Sequence, residues 1–162
     1  MLMPTQKIVT FLWFDNNAEE AMNFYSSIFQ NSKIVQVTRN GPNGPGAPGT
    51  VLVGTFEIAG QTFMALNGGP LFKFNESISL FVNCDTQEEV DDLWAKLTAD
   101  GGEPGRCGWL KDKFGLSWQV TPAALLKLLN DKDPGRARRA MEAMMQMTKI
   151  DIAALQRAAD QE

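Results

Sequence analysis

The sequence predicts an α+β protein: two βαβββ modules followed by a C-terminal helical tail. Three observations point there. The segment TFLWFDNNAEEAMNFYSSIF, beginning at Thr10, aligns without a gap on SLFVNCDTQEEVDDLWAKLT, which begins 69 positions later at Ser79. Each copy reads as an apolar strand, a short polar turn and an amphipathic helix. After Pro122 the alternating pattern ends and helical spacing alone remains. Such a repeat implies pseudo-twofold symmetry, with the cleft between the halves as the natural ligand site.

Taken in order, Lys7–Phe14 reads as a buried strand, and Asp15 or Asn17 can cap the helix that runs to about Phe29. Ala21, Phe24, Tyr25 and Ile28 fall at helical spacing along it. Lys33–Arg39 alternates as a strand. The run NGPNGPGAPG (Asn40–Gly49) reads as a mobile loop, because proline removes donors and glycine removes rigidity. Thr50–Ile58 and Gln61–Asn67 form strands around the turn Ala59-Gly60. The second half repeats this with strand Glu76–Cys84, helix Thr86–Ala99 closed by Asp100-Gly101-Gly102, and strands near Gly105–Leu110 and Leu116–Thr121. It is expected to be one strand shorter, or to have a very short second strand. The modules thus span residues 5–68 and 76–121, and the tail 122–162, within what reads as one integrated domain. In the tail, Asp133-Pro134 is a good helix start, and Met141, Met144, Met145 and Thr148 form a stripe that docks on the sheet or on a second subunit.

Composition narrows the function. Fifteen basic and 19 acidic residues give a net charge of −4, which disfavours nucleic-acid and anionic-membrane partners. Arg136, Arg138 and Arg139 read as a solvated helix face. No run is long and apolar enough for a membrane span, and the opening MLMPTQK shows no leader-like apolar stretch, so a cytoplasmic location is expected, with Cys84 and Cys107 reduced. There is no histidine, which removes the commonest metal ligand and the commonest general base. The acidic pairs Glu19-Glu20, Glu88-Glu89 and Asp91-Asp92 sit in first helical turns, where they favour the helix dipole.

The pieces FYSSIF, FNESISLFV, EEVDDLW and CGWLKDKFGLSWQVTP, within residues 7–121, resemble the vicinal oxygen chelate superfamily. That group includes glyoxalase I, extradiol dioxygenases, and bleomycin and fosfomycin resistance proteins. The closer likeness is to its PhnB-like branch, often labelled 3-demethylubiquinone-9 3-methyltransferase, and the tail RRAMEAMMQMTKIDIAALQRA resembles that branch too. The resemblance implies the two-module fold and a cleft, not one reaction. Metal enzymes of the superfamily use His and Glu on inward-facing strands. The matching positions here are Thr10, Ala65, Ser77 or Ser79, and Gln119, none of which is a histidine or a carboxylate. No metal and no cofactor are therefore expected. The methyltransferase label reads as a family name, because no glycine-rich turn joins a strand to a helix.

Strand alternation sorts the faces. In the second half Ile78, Leu80 and Val82 should lie under the helix, leaving Ser77, Ser79, Phe81 and Asn83 in the cleft. The repeat transfers this to Ile8, Thr10, Leu12 and Phe14. Ser117 and Gln119 join the row, as do Phe63, Ala65 and Asn67, and Cys107 and Trp109 precede the Asp112–Gly115 turn. The expected ligand-binding set is Thr10, Leu12, Phe14, Phe63, Asn67, Ser77, Ser79, Phe81, Cys107, Trp109 and Gln119. Cys107 reads as a structural or pocket-lining thiol, since no histidine base exists. The expected function is metal-free binding of a small organic molecule by a homodimer. The alternatives are a transferase or isomerase on the same cleft, using Cys107, Gln119 or a bound cofactor, and an interaction module whose cleft is filled.

Overall fold

The computed structural model describes residues 5–161, so the first residues of the MLMPTQK opening and Glu162 of the tail lie outside the described residues. The chain divides into two compact units, the first ending at Lys73 and the second beginning at Phe74, so the tail belongs with the second sheet.

The first unit contains β1 (Thr10–Phe14), α1 (Ala18–Ile28), β2 (Lys33–Arg39), β3 (Val51–Ile58) and β4 (Gln61–Asn67). Its sheet has the order β1-β4-β3-β2, with β1 parallel to β4 and the other pairs antiparallel. Asn17 occupies the cap position of α1 without a side-chain hydrogen bond, and the work falls to a distant residue. Asn67, at the end of β4, accepts from the Ala18 N–H (2.8 Å) and donates to the Val51 carbonyl (2.9 Å). One amide thus fixes the start of the helix against two strands. The glycine- and proline-rich loop is tied down rather than loose. The buried Asn40 side chain donates to Thr50 Oγ1 (3.0 Å) and accepts from the Gly46 N–H (3.3 Å), and its backbone closes the loop by bonding Thr50 and Gly49.

The second unit repeats the topology: β5 (Ser79–Cys84), α2 (Gln87–Thr98), β6 (Glu103–Pro104), β7 (Trp109–Lys111) and β8 (Ser117–Pro122), in the order β5-β8-β7-β6. The second strand is present but only two residues long. The start of α2 resembles a capping box: Thr86 accepts from the Glu89 N–H, and the Glu89 carboxylate accepts from the Asp85 N–H. Asp112 holds the β7–β8 turn. Only 2% exposed, it accepts from the Phe114 and Leu116 N–H groups through one oxygen and from the Trp118 indole through the other.

The tail forms α3 (Ala123–Leu129), α4 (Pro134–Met144) and α5 (Ile152–Asp160) around Leu125, Leu128, Ala140, Ile150, Leu155 and Ala159. Asp133 caps α4 and Asp151 caps α5. The methionine stripe is split. Met144 and Met147 pack on the tail's own core, while Met141 and Met145 stay exposed. Arg136 pairs with Asp131 and Asp160, and Arg139 donates to the Ala159 carbonyl, so two of the three arginines bind the tail together instead of facing solvent alone.

Candidate functional site

The helix of each unit covers one face of its sheet, and register shows which side chains share that face. In the first sheet, Leu12, Ala65 and Gly54 form one cross-strand row. A Cβ on Gly54 would meet the Met22 sulfur of α1 at 2.5 Å, so the row lies beneath the helix. Thr10, Phe63 and Phe56 form the next row, and Phe56 stacks on Tyr25 of α1 with centroids 6.3 Å apart. The expected pocket row of the first module is therefore corrected: Thr10, Leu12, Phe14, Phe63 and Ala65 occupy the helix side, with Leu12 only 5% exposed. Asn67 shares that side as the helix brace described above. Phe11, 52% exposed, and Trp13 hold the other face. The indole of Trp13 donates to the Gly69 carbonyl and meets the edge of Phe72 at 4.9 Å.

In the second sheet the expected faces hold within β5, but Ile78, expected under the helix with Leu80 and Val82, precedes the strand and is 69% exposed. Leu80, Trp118 and Leu110 share the helix side, with Val82 and Val120 beside them. The helix-free side carries Ser79, Ser117 and Lys111 in one row and Phe81, Gln119 and Trp109 in the next. Leu12 thus corresponds to Leu80, not to Phe81. The gap-free alignment is one residue out of phase with the faces, and a one-residue slip turns every side chain over.

This helix-free face gathers the chemistry. Gln119 Nε2 donates to Ser79 Oγ at 2.9 Å. Phe81, 46% exposed, and Trp109 flank Gln119 within its own row, one row along from Ser79. Lys111 pairs with Glu76 at the edge, and each shifts the other: the ammonium holds the Glu76 carboxylate below its ordinary value, and the carboxylate raises Lys111. A groove of about 210 Å³ opens there, lined by Glu76, Glu103–Gly105, Trp109–Lys111 and Ser117. Ser77 does not join the face. It lies in the turn before β5, where its N–H and hydroxyl both bond Asn75 Oδ1.

Cys107 sits in the loop before β7 with φ of +57°, and its N–H donates to the Met147 carbonyl. The next residue, Gly108, donates to Thr148, and its own carbonyl accepts from Val120. The tail thus fixes Cys107 as part of a backbone splice. Cys84 is fully buried, and burial pushes its thiol up to about 12, with the Glu89 and Asp85 carboxylates adding to the shift, so it is an inert core group. A second cavity, about 460 Å³, lies at the strand ends of the first unit, between the Asn40–Leu52 loop and Leu66–Gly69. Its two central amides, Asn40 and Asn67, are already engaged by the fold.

The donor set does not suit a divalent metal. Thr10 and Ala65 face α1, and the pair that remains, Ser79 and Gln119, is neutral and bonded to itself. Among the described residues, no three His, Cys, Asp or Glu side chains come together. The strand-to-helix connections that could cradle a nucleotide-like cofactor are Asp15-Asn16-Asn17 and Asp85-Thr86, and neither contains glycine. No helix among the described residues is long and apolar enough to cross a membrane.

The family model for 3-demethylubiquinone-9 3-methyltransferase matches residues 6–121. The chain belongs to that family. A PhnB protein from Bacillus cereus that carries the same family label is 45% identical, covers 73% of this chain and 100% of its own, and superposes with a TM-score of 0.68. Protein PA1353 from Pseudomonas aeruginosa is 20% identical over 70% of this chain and 95% of its own, with a TM-score of 0.58. A mutant of the fosfomycin resistance protein FosX from Listeria monocytogenes is 19% identical over 72% and 90%, with a TM-score of 0.51. No curated protein matches the chain. This member of the 3-demethylubiquinone-9 3-methyltransferase family therefore has the glyoxalase/bleomycin-resistance-like fold, a PhnB-like sequence, and a helical tail that begins where the family match ends.

Proposed function

We propose that this PhnB-like protein binds a small, partly apolar organic molecule on the helix-free face of its second sheet, without a metal. One observation supports this above the rest: Gln119, hydrogen-bonded to Ser79, lies between an exposed phenylalanine and a tryptophan on the face opposite α2. Such a surface orients a ligand through one or two polar contacts and holds it through apolar area. The FosX mutant carries Mn(II) and 1S,2S-dihydroxypropylphosphonic acid. Here the amide and hydroxyl donors favour an organic ligand alone. Native mass spectrometry of protein taken from its own cells tests this. An added organic mass, lost in Ser79→Trp, is expected; about one Mn, Zn, Fe or Ni per chain, lost in Gln119→Ala, would overturn it.

The family description favours one second reading, methyl transfer on the same face. Calorimetric titration with adenosylmethionine separates the two, and micromolar affinity would install the transferase. A homodimer of about 36 kDa, twice the 17.9 kDa chain, belongs to the proposal as well, with Met141 and Met145 as the apolar surface a second copy would cover. Light scattering showing a monomer at micromolar concentration would remove that part.

A further inference from the structure

The Ser117 side chain is 1% exposed, and its hydroxyl has no hydrogen-bond partner among the described residues. A buried hydroxyl left unpaired costs free energy, so its persistence asks for a purpose. Its position supplies one. Ser117 stands between Ser79 and Lys111 in the helix-free row of the second sheet, and it lines the groove of about 210 Å³ beside Trp109, Pro104 and Gly105. Its two neighbours in that row are already committed, Ser79 to Gln119 and Lys111 to Glu76. Ser117 is thus the one hydroxyl of this row, among the described residues, that is buried and makes no hydrogen bond at all.

Size and charge narrow what would meet it. A dry cavity of about 150 Å³ is known to accept benzene, so this groove suits a single aromatic ring with a short substituent. The charged groups at its walls are Glu76, Glu103 and Lys111, two carboxylates against one ammonium. That balance disfavours an anion. Glu76 also satisfies Lys111, which removes the obvious cation for a carboxylate or phosphate ligand.

We infer that Ser117 is the polar anchor of the binding face, and that its ligand is a neutral, single-ring aromatic molecule carrying a carbonyl or hydroxyl oxygen. The oxygen bonds Ser117 Oγ while the ring lies along Trp109. This rests on the binding face proposed above and adds the residue and the ligand class.

The test uses the full chain and two probes of nearly equal shape, acetophenone, which has the oxygen, and ethylbenzene, which lacks it. Affinities are read by ligand-observed NMR titration for wild type and Ser117→Ala, with the melting temperature of each. Acetophenone should bind wild type about 3- to 10-fold more tightly than ethylbenzene, the range expected for one neutral hydrogen bond. Ser117→Ala should erase that preference while keeping ethylbenzene affinity, and should melt at the same temperature or higher, since it removes an unpaired group. If both probes bind but the preference is absent or survives in Ser117→Ala, the anchor is wrong and the binding face stands. A melting temperature lowered by several degrees with the preference unchanged makes Ser117 a structural group, and the inference fails. If neither probe binds wild type at millimolar concentration, the ligand class fails, while the face itself stands or falls by the native mass spectrometry above.

Discussion

The two sheets share one strand order and differ in what holds them. In the first, β2 and β3 are seven and eight residues long and pair along most of their length. In the second, their counterparts β6 and β7 have two and three residues. What the short strands lack, the tail supplies: Met147 and Thr148 offer carbonyls to Cys107 and Gly108, and Gln87 of α2 is bonded on both sides by Ile150 and Ile152. The first sheet relies on its own hydrogen-bond ladders and an aromatic stack. The second relies on a segment beyond the family match. Repetition of a pattern therefore does not imply repetition of the forces behind it.

The strongest way to break this comparison is to injure the tail. Leu155 is fully buried in the tail core, and Leu155→Asp places an unpaired charge there at a cost of several kcal/mol. Hydrogen exchange should show protection lost across β7 and β8 while β3 and β4 amides keep theirs. Simultaneous loss in both sheets would show that the second gains nothing particular from the tail.

The face assignment gives the next largest effect. Leu12→Asp should destabilise by roughly 3 kcal/mol or more, because the residue lies under α1, whereas Phe81→Asp should cost less than about 1 kcal/mol. Denaturant midpoints of the two variants decide. The reverse order would restore the gap-free phase of the repeat.

A smaller effect sharpens the splice between tail and sheet. Gly108 and Gly115 have nearly equal φ, +83° and +86°. A Cβ on Gly115 meets nothing within 4 Å, but one on Gly108 meets the Val120 carbonyl at 3.0 Å and Ile150 Cγ1 at 3.1 Å. Gly115→Ala should cost about 1 kcal/mol from backbone conformation alone. Gly108→Ala should cost roughly 1–2 kcal/mol more, from the clash with the tail segment. Equal melting temperatures would mean that the contact is loose.

The smallest effect concerns pH. The carboxyls of Asp131 and Asp160 both lie below their ordinary value of 3.8, Asp131 through the Asp133 backbone and then Arg136, and Asp160 through Arg136 and then Gln156. A depressed carboxyl stabilises the fold above its ordinary value and loses that contribution as pH falls through the folded value. The melting-temperature gap between wild type and Arg136→Gln should therefore be small but measurable at pH 6 and narrow as the pH drops below 3.8. A gap that widens on acidification would contradict the sign. Asp160 is exposed and Asp131 and Arg136 only half-buried, so solvent screens the pairs and keeps the effect slight.

Much was legible in the residues. The repeat, the hairpin turn at Ala59-Gly60, the helix start at Asp133, the short second strand of the second module and the missing histidine are local facts, fixed by spacing, turn chemistry and composition. The faces of the second sheet were legible for the same reason: SLFVN and LSWQV alternate apolar with mixed, so Phe81 and Gln119 fell on the side they occupy. The first strand offered no such contrast. FLWF is apolar on both faces, and alternation within it cannot say which side meets the helix. Only its neighbours decide, Gly54 making room for Met22 and Phe56 stacking on Tyr25. The same holds for Asn40 and Asn67, whose amides read as loop and strand residues until the chain brings Thr50, Val51 and Ala18 to them. Sequence determined the elements and their order, because those depend on contacts within a few residues. Tertiary structure decided which face is buried and which hydroxyl is left unpaired, because those depend on partners far along the chain.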